Sequence, residues 1–310
     1  MGNRLKDKVA VVTGAGRGIG RAIALLMAEE GAKVVVNDLG VERDGTGATK
    51  GPADEVVAEI KKAGGKAATN YDSVATVEGG ENIIKTAIDK FGKIDILVNN
   101  AGILRDRMVF NMSPEEWDAV IKVHLYGCFN CTKPAAVFMR QQRYGRIINM
   151  SSSSGLLGNA GQANYGAAKA GIAGFTRVCA RDLGRYGINV NAVAPSAATR
   201  MTVSPEMEEA LRSRVARGEI TEAQAAARRP PAPEDNAAIV VYLATDAAAN
   251  INGHVFWSHG SGLSLCYEPL PPQKTIYKEG RWTLDELDRI MPVSLAAGLV
   301  NPAPPQPPKE

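Results

Sequence analysis

The run Thr13-Gly14-Ala15-Gly16-Arg17-Gly18-Ile19-Gly20 sits directly behind an apolar stretch at residues 9–12. An amphipathic segment follows to Glu30, and a second apolar strand at 33–36 ends in Asn37-Asp38. Strand, glycine turn, helix, strand and acid, in that order, restrict the fold more tightly than any other feature of the chain. Glycines at a strand-to-helix turn let backbone N–H groups approach a pyrophosphate, and the helix N-terminus adds partial positive charge. Asp38, 18 residues after Gly20, stands where an acid would hold a ribose hydroxyl. The turn is therefore read as a dinucleotide site.

Downstream, apolar strands alternate with helical segments almost to residue 260. A polar insertion at 40–51 leads into a helix at 52–63, a strand at 66–71 and a helix at 78–91. The strand at 94–98 is continuously apolar, as expected when both faces are buried. One long helix at 115–140, a strand at 146–150, a helix at 163–186 and strands at 189–194 and 254–257, with a helix at 233–244 between them, complete the pattern. Such alternation builds an α/β fold, a single doubly wound parallel sheet of Rossmann type with helices on both faces. The expected domain covers residues 1–262, followed by a tail at 263–310 with a short helix at 283–291 and a proline-rich, extended end at 302–308. In that tail Trp282, Leu284, Leu287 and Ile290 form an apolar stripe. Residues 199–232, rich in arginine (Arg200, Arg212, Arg214, Arg217, Arg228, Arg229), emerge at the ligand edge of the sheet and are a candidate lid.

A second constellation carries the chemistry. Ser152 follows the fifth strand, and Tyr165 and Lys169 lie four apart, on one helix face. A free tyrosine titrates near ~10 and is a poor base at neutral pH. An ammonium ~4–5 Å away contributes ~3–4 kcal/mol at an effective dielectric of ~20, or ~2–3 pKa units. The charge of an oxidised nicotinamide would push the same way, so Tyr165 is expected near ~7, suited to proton transfer. Ser152 would hold the substrate oxygen between the tyrosine hydroxyl and the nicotinamide.

These motifs, with Asn99-Asn100-Ala101-Gly102 and Pro195 followed by Thr199, make residues 5–262 resemble the short-chain dehydrogenase/reductases. The resemblance implies that Asp72 contacts the adenine, Asn99 supports the sheet beside the adenosine, Thr199 binds the nicotinamide carboxamide and Lys169 also holds ribose hydroxyls. Thr13, Ser73, Ala101, Gly102, Tyr165 and Pro195 complete the implied cofactor set. The stretches Asn70-Tyr71-Asp72-Ser73-Val74, Val123-His124-Leu125 and Gly158-Asn159-Ala160-Gly161-Gln162-Ala163-Asn164-Tyr165 are similar to one branch. That branch is the (3R)-hydroxyacyl-CoA dehydrogenase unit of peroxisomal multifunctional enzyme type 2 and its bacterial relatives, several of which also oxidise 17β-hydroxysteroids. Where the wider family carries Asn in a proton relay, this chain has His124, read equally as a relay or as a core histidine bonded to backbone. Pro195-Ser196 replaces the usual Pro-Gly.

Asp38 and Arg17 pull cofactor choice in opposite directions, since the acid repels a 2′-phosphate and the arginine would welcome it. Like charges ~4 Å apart outweigh a flexible surface arginine, so NAD is expected over NADP. The expected reaction is oxidation of a secondary alcohol, first a (3R)-3-hydroxyacyl-CoA. Oxidation of a 17β-hydroxysteroid, alone or beside the first activity, and then reduction of a 3-oxoacyl-carrier-protein are the rival reactions, and a catalytically dead nucleotide-binding scaffold is a different class of reading. The resemblance further implies a homodimer or homotetramer. A net charge of +3 without a long basic run argues against nucleic acid. No apolar stretch reaches the ~18 residues of a membrane span, and charged residues precede the first strand, so a cytoplasmic enzyme is expected. Cys128 and Cys131 fall inside the expected long helix and are read as buried, and His124, His254 and His259 lack metal-ligand spacing, so no metal is expected.

Overall fold

The computed structural model describes residues 2–196, 205–228, 231–259, 262–266, 273–279 and 281–299. Eight strands form one sheet: β1 (Val9–Thr13), β2 (Lys33–Asn37), β3 (Lys66–Asn70), β4 (Ile96–Asn99), β5 (Gly145–Met150), β6 (Ile188–Ser196), β7 (Val255–His259) and β8 (Gly262–Leu265). Their order is β3-β2-β1-β4-β5-β6-β7-β8, parallel except for β8, which pairs antiparallel with β7. The helices are α1 (Gly18–Glu29), α2 (Gly51–Lys62), α3 (Val77–Phe91), α4 (Pro114–Ile121), α5 (Gly127–Gln142), α6 (Ser153–Leu156), α7 (Ala163–Gly184), α8 (Pro205–Ala216), α9 (Glu222–Arg228), α10 (Ala237–Ala244) and α11 (Leu284–Ile290).

The apolar runs of the central strands follow from burial on both faces. Successive side chains of a strand point to opposite sides. Ala10 and Val12 accordingly pack with Ile23, Met27 and Ile60 from α1 and α2, whereas Val9 and Val11 pack with Ile83, Leu97 and Met139 on the other face. A strand sandwiched between two helical layers has no solvent face on which to place polar residues.

Three local departures from the sequence reading have physical causes. The expected single helix at 115–140 is instead α4, a π-helical turn at Lys122–Tyr126, and α5. One extra residue in a turn leaves an apolar pattern nearly intact, so periodicity does not register it. β4 begins at Ile96 because the backbone of Ile94 is satisfied by a side chain: Gln142 Nε2 donates to its carbonyl at 2.7 Å. The carboxylate of Asp95 accepts from Val9 N–H at 2.8 Å. Finally, β8 and the four-residue α6 are additions to the expected list; each is too short to show a period.

Residues 1–266 form one compact unit and 267–310 a second. In the second, α11 falls where a helix was expected, with Thr283 and Glu286 forming a reciprocal capping box at its start. Leu284 is exposed and Leu287 and Ile290 are half-buried. The proline-rich end at 302–308 lies outside the described residues. No helix among the described residues is long and apolar enough to cross a membrane, and no cluster of His, Cys, Asp and Glu among them could hold a metal.

Candidate active site

The strand order reverses between β1 and β4, and a cleft of about 670 Å³ opens at their carboxyl ends. This is the position at which doubly wound sheets bind ligands. Gly14, Arg17, Gly18, Ile19, Gly20, Asp38, Asp72, Ser73, Ala101 and Gly102 all line it. Gly14 has φ of +61°, and a Cβ there would sit 2.7 Å from the Cα of Ala101. A Cβ at Gly20 would lie 2.2 Å from the Gly14 carbonyl oxygen, so helix and turn approach more closely than any side chain allows. No side chain caps the N-terminus of α1, which leaves its N–H groups available to an anion. Asp38 accepts from the N–H groups of Gly16 at 2.7 Å and Gly40 at 2.6 Å, which fixes its carboxylate at the rim of the glycine turn. A close-approach backbone, an open helix terminus and an oriented acid together fit a dinucleotide.

Other predicted cofactor residues act from behind the cleft. Thr13 is buried, and its Oγ1 accepts from the N–H groups of Asn100 at 3.0 Å and Ala101 at 3.1 Å, pinning β4 to β1 across the switch point. Asn99 donates to Asn149 Oδ1 at 2.8 Å and Thr132 Oγ1 at 3.1 Å. Asp72 is held by Asn70, whose Nδ2 donates at 2.7 Å, and Asn37 donates to Asn70 Oδ1 at 2.8 Å. These asparagine pairs were not singled out, because each bond joins strands distant in sequence. Pro195 lies half-buried in β6, and Thr199 lies outside the described residues, as do Arg200 and Arg229 of the candidate lid. Two other lid arginines, Arg214 and Arg217, pair with Glu219 at 3.3 and 2.6 Å.

Ser152, Tyr165 and Lys169 converge as predicted. Ser152 caps α6 directly after β5, its Oγ accepting from Ser154 N–H at 3.2 Å, and Tyr165 stands near the start of α7. Lys169 is buried one turn along α7, with Nζ 5.4 Å from the centre of the Tyr165 ring, and donates to the Met150 carbonyl at 2.5 Å. Burial pushes the lysine down to about 8. Tyr165 corrects the sequence expectation: its pKa is raised above the ordinary value, not lowered. Burial is the largest cause, the Ser152 hydroxyl works against it, and the Asp106 carboxylate adds to the rise. The expectation left out the desolvation of a buried phenolate, which is the largest influence on this group.

His124, in the π-helical turn, is buried with its ring edge-on to Tyr165 at 5.1 Å between centroids. Nε2 lies 2.8 Å from the Ile103 carbonyl and 3.1 Å from the Ile103 N–H. One nitrogen can serve only one of them, and the shorter contact assigns the proton to Nε2. Nδ1 is then a buried acceptor without a protein partner among the described residues. Burial and the Lys169 cation hold the imidazole at about 3, so it is neutral. Both readings of His124 retain support, the backbone bond for the core role and the free Nδ1 for a relay.

The polar insertion after Asp38 forms the outer wall of the cleft. The Arg43 carbonyl accepts from Leu104 N–H at 3.0 Å, the Asp44 carbonyl accepts from Arg105 Nε at 2.8 Å, and Gly45 packs on Ile103. Val41, Gly45, Ile103 and Arg105 all face the cavity. The segment after β4 also runs to the catalytic helix, since Arg107 N–H donates to the Gly161 carbonyl at 2.8 Å and Asn164 Nδ2 donates to the Arg105 carbonyl at 3.0 Å.

A doubly wound sheet with a glycine turn at its switch point and Ser, Tyr and Lys at the adjoining strand end defines a nicotinamide-type oxidoreductase scaffold. The family model described as short chain dehydrogenase matches residues 8–210, and the chain belongs to that family, oxidoreductases acting on CH–OH groups. Among its relatives, the chain is 53% identical over 205 residues to peroxisomal multifunctional enzyme type 2 of Mus musculus, covering 66% of this chain and 28% of that one. It is 42% identical over 273 residues to the hydroxyacyl-CoA dehydrogenase ChsB1 of Mycobacterium tuberculosis, covering 86% of this chain and 81% of that one. A crystal structure of a short chain dehydrogenase from Mycobacterium avium superposes with a TM-score of 0.80 at 44% identity, over 95% of this chain and 96% of that one. The resemblance drawn from the motifs is therefore confirmed at the level of the family and its hydroxyacyl-CoA dehydrogenase relatives.

Proposed function

We propose that the protein is an NAD-dependent dehydrogenase that oxidises (3R)-3-hydroxyacyl-CoA thioesters to the ketones. The observation that carries the reading above the others is the Lys169 Nζ placed 5.4 Å from the centre of the Tyr165 ring, in a chain whose glycine-turn cleft has the Asp38 carboxylate fixed at its rim. Ser152 holds the substrate oxygen and Tyr165 takes its hydroxyl proton, a role that needs positive charge beside the ring to offset the burial that raises its pKa. Lys169, anchored on the Met150 carbonyl, keeps a cation beside the phenol ring. Bound NAD supplies the carbon that accepts the hydride. Asp38 favours NAD, because a 2′-phosphate would meet a carboxylate already oriented by two N–H groups.

The substrate class rests on the hydroxyacyl-CoA relatives and on an apolar lip beside the catalytic residues. Met108, Val109 and Phe110 are exposed, and so is Leu157, five residues after Ser152. The β-bridge between Arg107 and Gln162 holds the first group against the N-terminus of α7. The same lip would suit a 17β-hydroxysteroid, which is the second reading. Residues 199–232 are the proposed lid, and the enzyme is proposed to work in the cytoplasm as a homo-oligomer.

The test is NADH formation from a (3R)-3-hydroxyacyl-CoA, its (3S) isomer and a 17β-hydroxysteroid, each with NAD and NADP. The (3R) thioester with NAD should give the highest kcat/KM. Preference for the steroid would transfer the assignment to the second reading, and preference for NADP would show that Arg17 overrides Asp38.

A further inference from the structure

Gln162 lies just ahead of α7, three residues before Tyr165, and has no direct part in the chemistry above. Its Nε2 donates to both carboxylate oxygens of Asp106, each at 3.2 Å. Its Oε1 accepts from Ser154 Oγ at 2.7 Å and from Asn159 Nδ2 at 3.0 Å. Ser154 in turn donates its backbone N–H to Ser152 Oγ at 3.2 Å. Asp106 is also 3.7 Å from the Arg43 guanidinium on the insertion that walls the cleft. One amide thus joins the segment after β4, the turn that carries Ser152 and the helix that carries Tyr165.

We propose that Gln162 is a positioning residue that, anchored by Asp106, holds the Ser152 turn in register with Tyr165. The inference rests on the dehydrogenase reading of those two residues. The amide can take only one orientation, because a carboxylate accepts and cannot donate, and the Asn159 amide nitrogen donates to the opposite end. Backbone contact between the segment and the helix is already provided by Arg107 and Gly161, so the side-chain chain adds something other than chain connection. What it adds reaches the Ser152 hydroxyl. α6 has four residues and cannot hold that turn alone. Displacing a catalytic group by about 1 Å lowers turnover by roughly 10²-fold.

The experiment compares Gln162→Ala, Gln162→Glu, Asp106→Asn and the exchanged pair Gln162→Glu/Asp106→Asn, using whichever secondary alcohol the wild type oxidises. Gln162→Ala should lower kcat by roughly 10- to 100-fold, with NADH affinity and thermal midpoint close to wild type. Gln162→Glu sets a second carboxylate against Asp106 and should lose at least as much. In the exchanged pair the new amide at 106 donates to the new carboxylate at 162, and kcat should recover by about tenfold or more over Gln162→Glu. Unchanged kcat in Gln162→Ala, no recovery in the exchange, or a loss matched by lost NADH binding would each overturn the proposal.

A wild type that oxidises no secondary alcohol would instead sink the dehydrogenase reading. The positioning claim then stands or falls on ultraviolet titration of Tyr165, read as the difference from Tyr165→Phe. That phenol faces the Ser152 hydroxyl, the Lys169 ammonium, the neutral His124 ring and the Asp106 carboxylate. A loosened Ser152 gives the phenolate less support, so Gln162→Ala should move the midpoint upward by about half a pH unit or more. An unmoved midpoint would end the claim.

Discussion

At the residue scale, His124 shows how burial turns a titratable group into a stability sensor. Its imidazole is held at about 3 in the folded chain, against 6.5 for an ordinary histidine. The unfolded chain therefore binds a proton between these values while the folded chain does not, and stability falls as pH drops from 6.5 towards 3. Between pH 6.5 and pH 4 this one group should remove roughly 3 kcal/mol. Urea denaturation across that range should show His124→Asn losing less stability on acidification than the wild type by about that amount. Parallel pH profiles for the two proteins would mean that the ring is solvated. Ser152, Tyr165 and Lys169 were readable in the sequence because helix periodicity encodes a four-residue spacing. Asp106 and Gln162 were not, since their contact joins residues 56 apart and only the folded chain brings them together.

The elements were legible wherever they were long. The central strands announced themselves by unbroken apolar runs, and the glycine turn by its place between a strand and a helix. The π-helical turn at Lys122–Tyr126 was hidden inside a plausible long helix, and β8 was hidden because an edge strand of four residues needs its neighbour to be recognised. Packing between helices is equally silent in one sequence. Gly80 in α3 meets α5 so closely that a Cβ would lie 2.4 Å from the Asn130 carbonyl oxygen, a backbone atom that cannot rotate away. Gly80→Ala should therefore destabilise the domain by about 1–3 kcal/mol despite the better helix propensity of alanine. At about 2–4 °C per kcal/mol for a domain of this size, a calorimetric scan would resolve it. An unchanged midpoint would mean that the two helices separate at little cost.

For the whole molecule, the outer faces of the catalytic half carry more apolar surface than the buried layers explain. Tyr126, Phe129 and Val137 recur at helical spacing along α5 and the turn before it, and Val178 is exposed on α7. A homo-oligomer would cover such a face. Light scattering should then give a multiple of the 32.8 kDa chain mass, and Phe129→Glu with Val178→Glu should reduce it to one chain. A wild type of single-chain mass would remove the homo-oligomer from the functional reading. One contact also links two positions of the catalytic half. A Cβ at Gly102 would fall 2.4 Å from the His124 ring, which is itself wedged against Tyr165. Alanine at 102 therefore requires the His124 ring to shift or to be replaced by something smaller. The two positions are coupled, so what a change at one of them costs depends on what stands at the other.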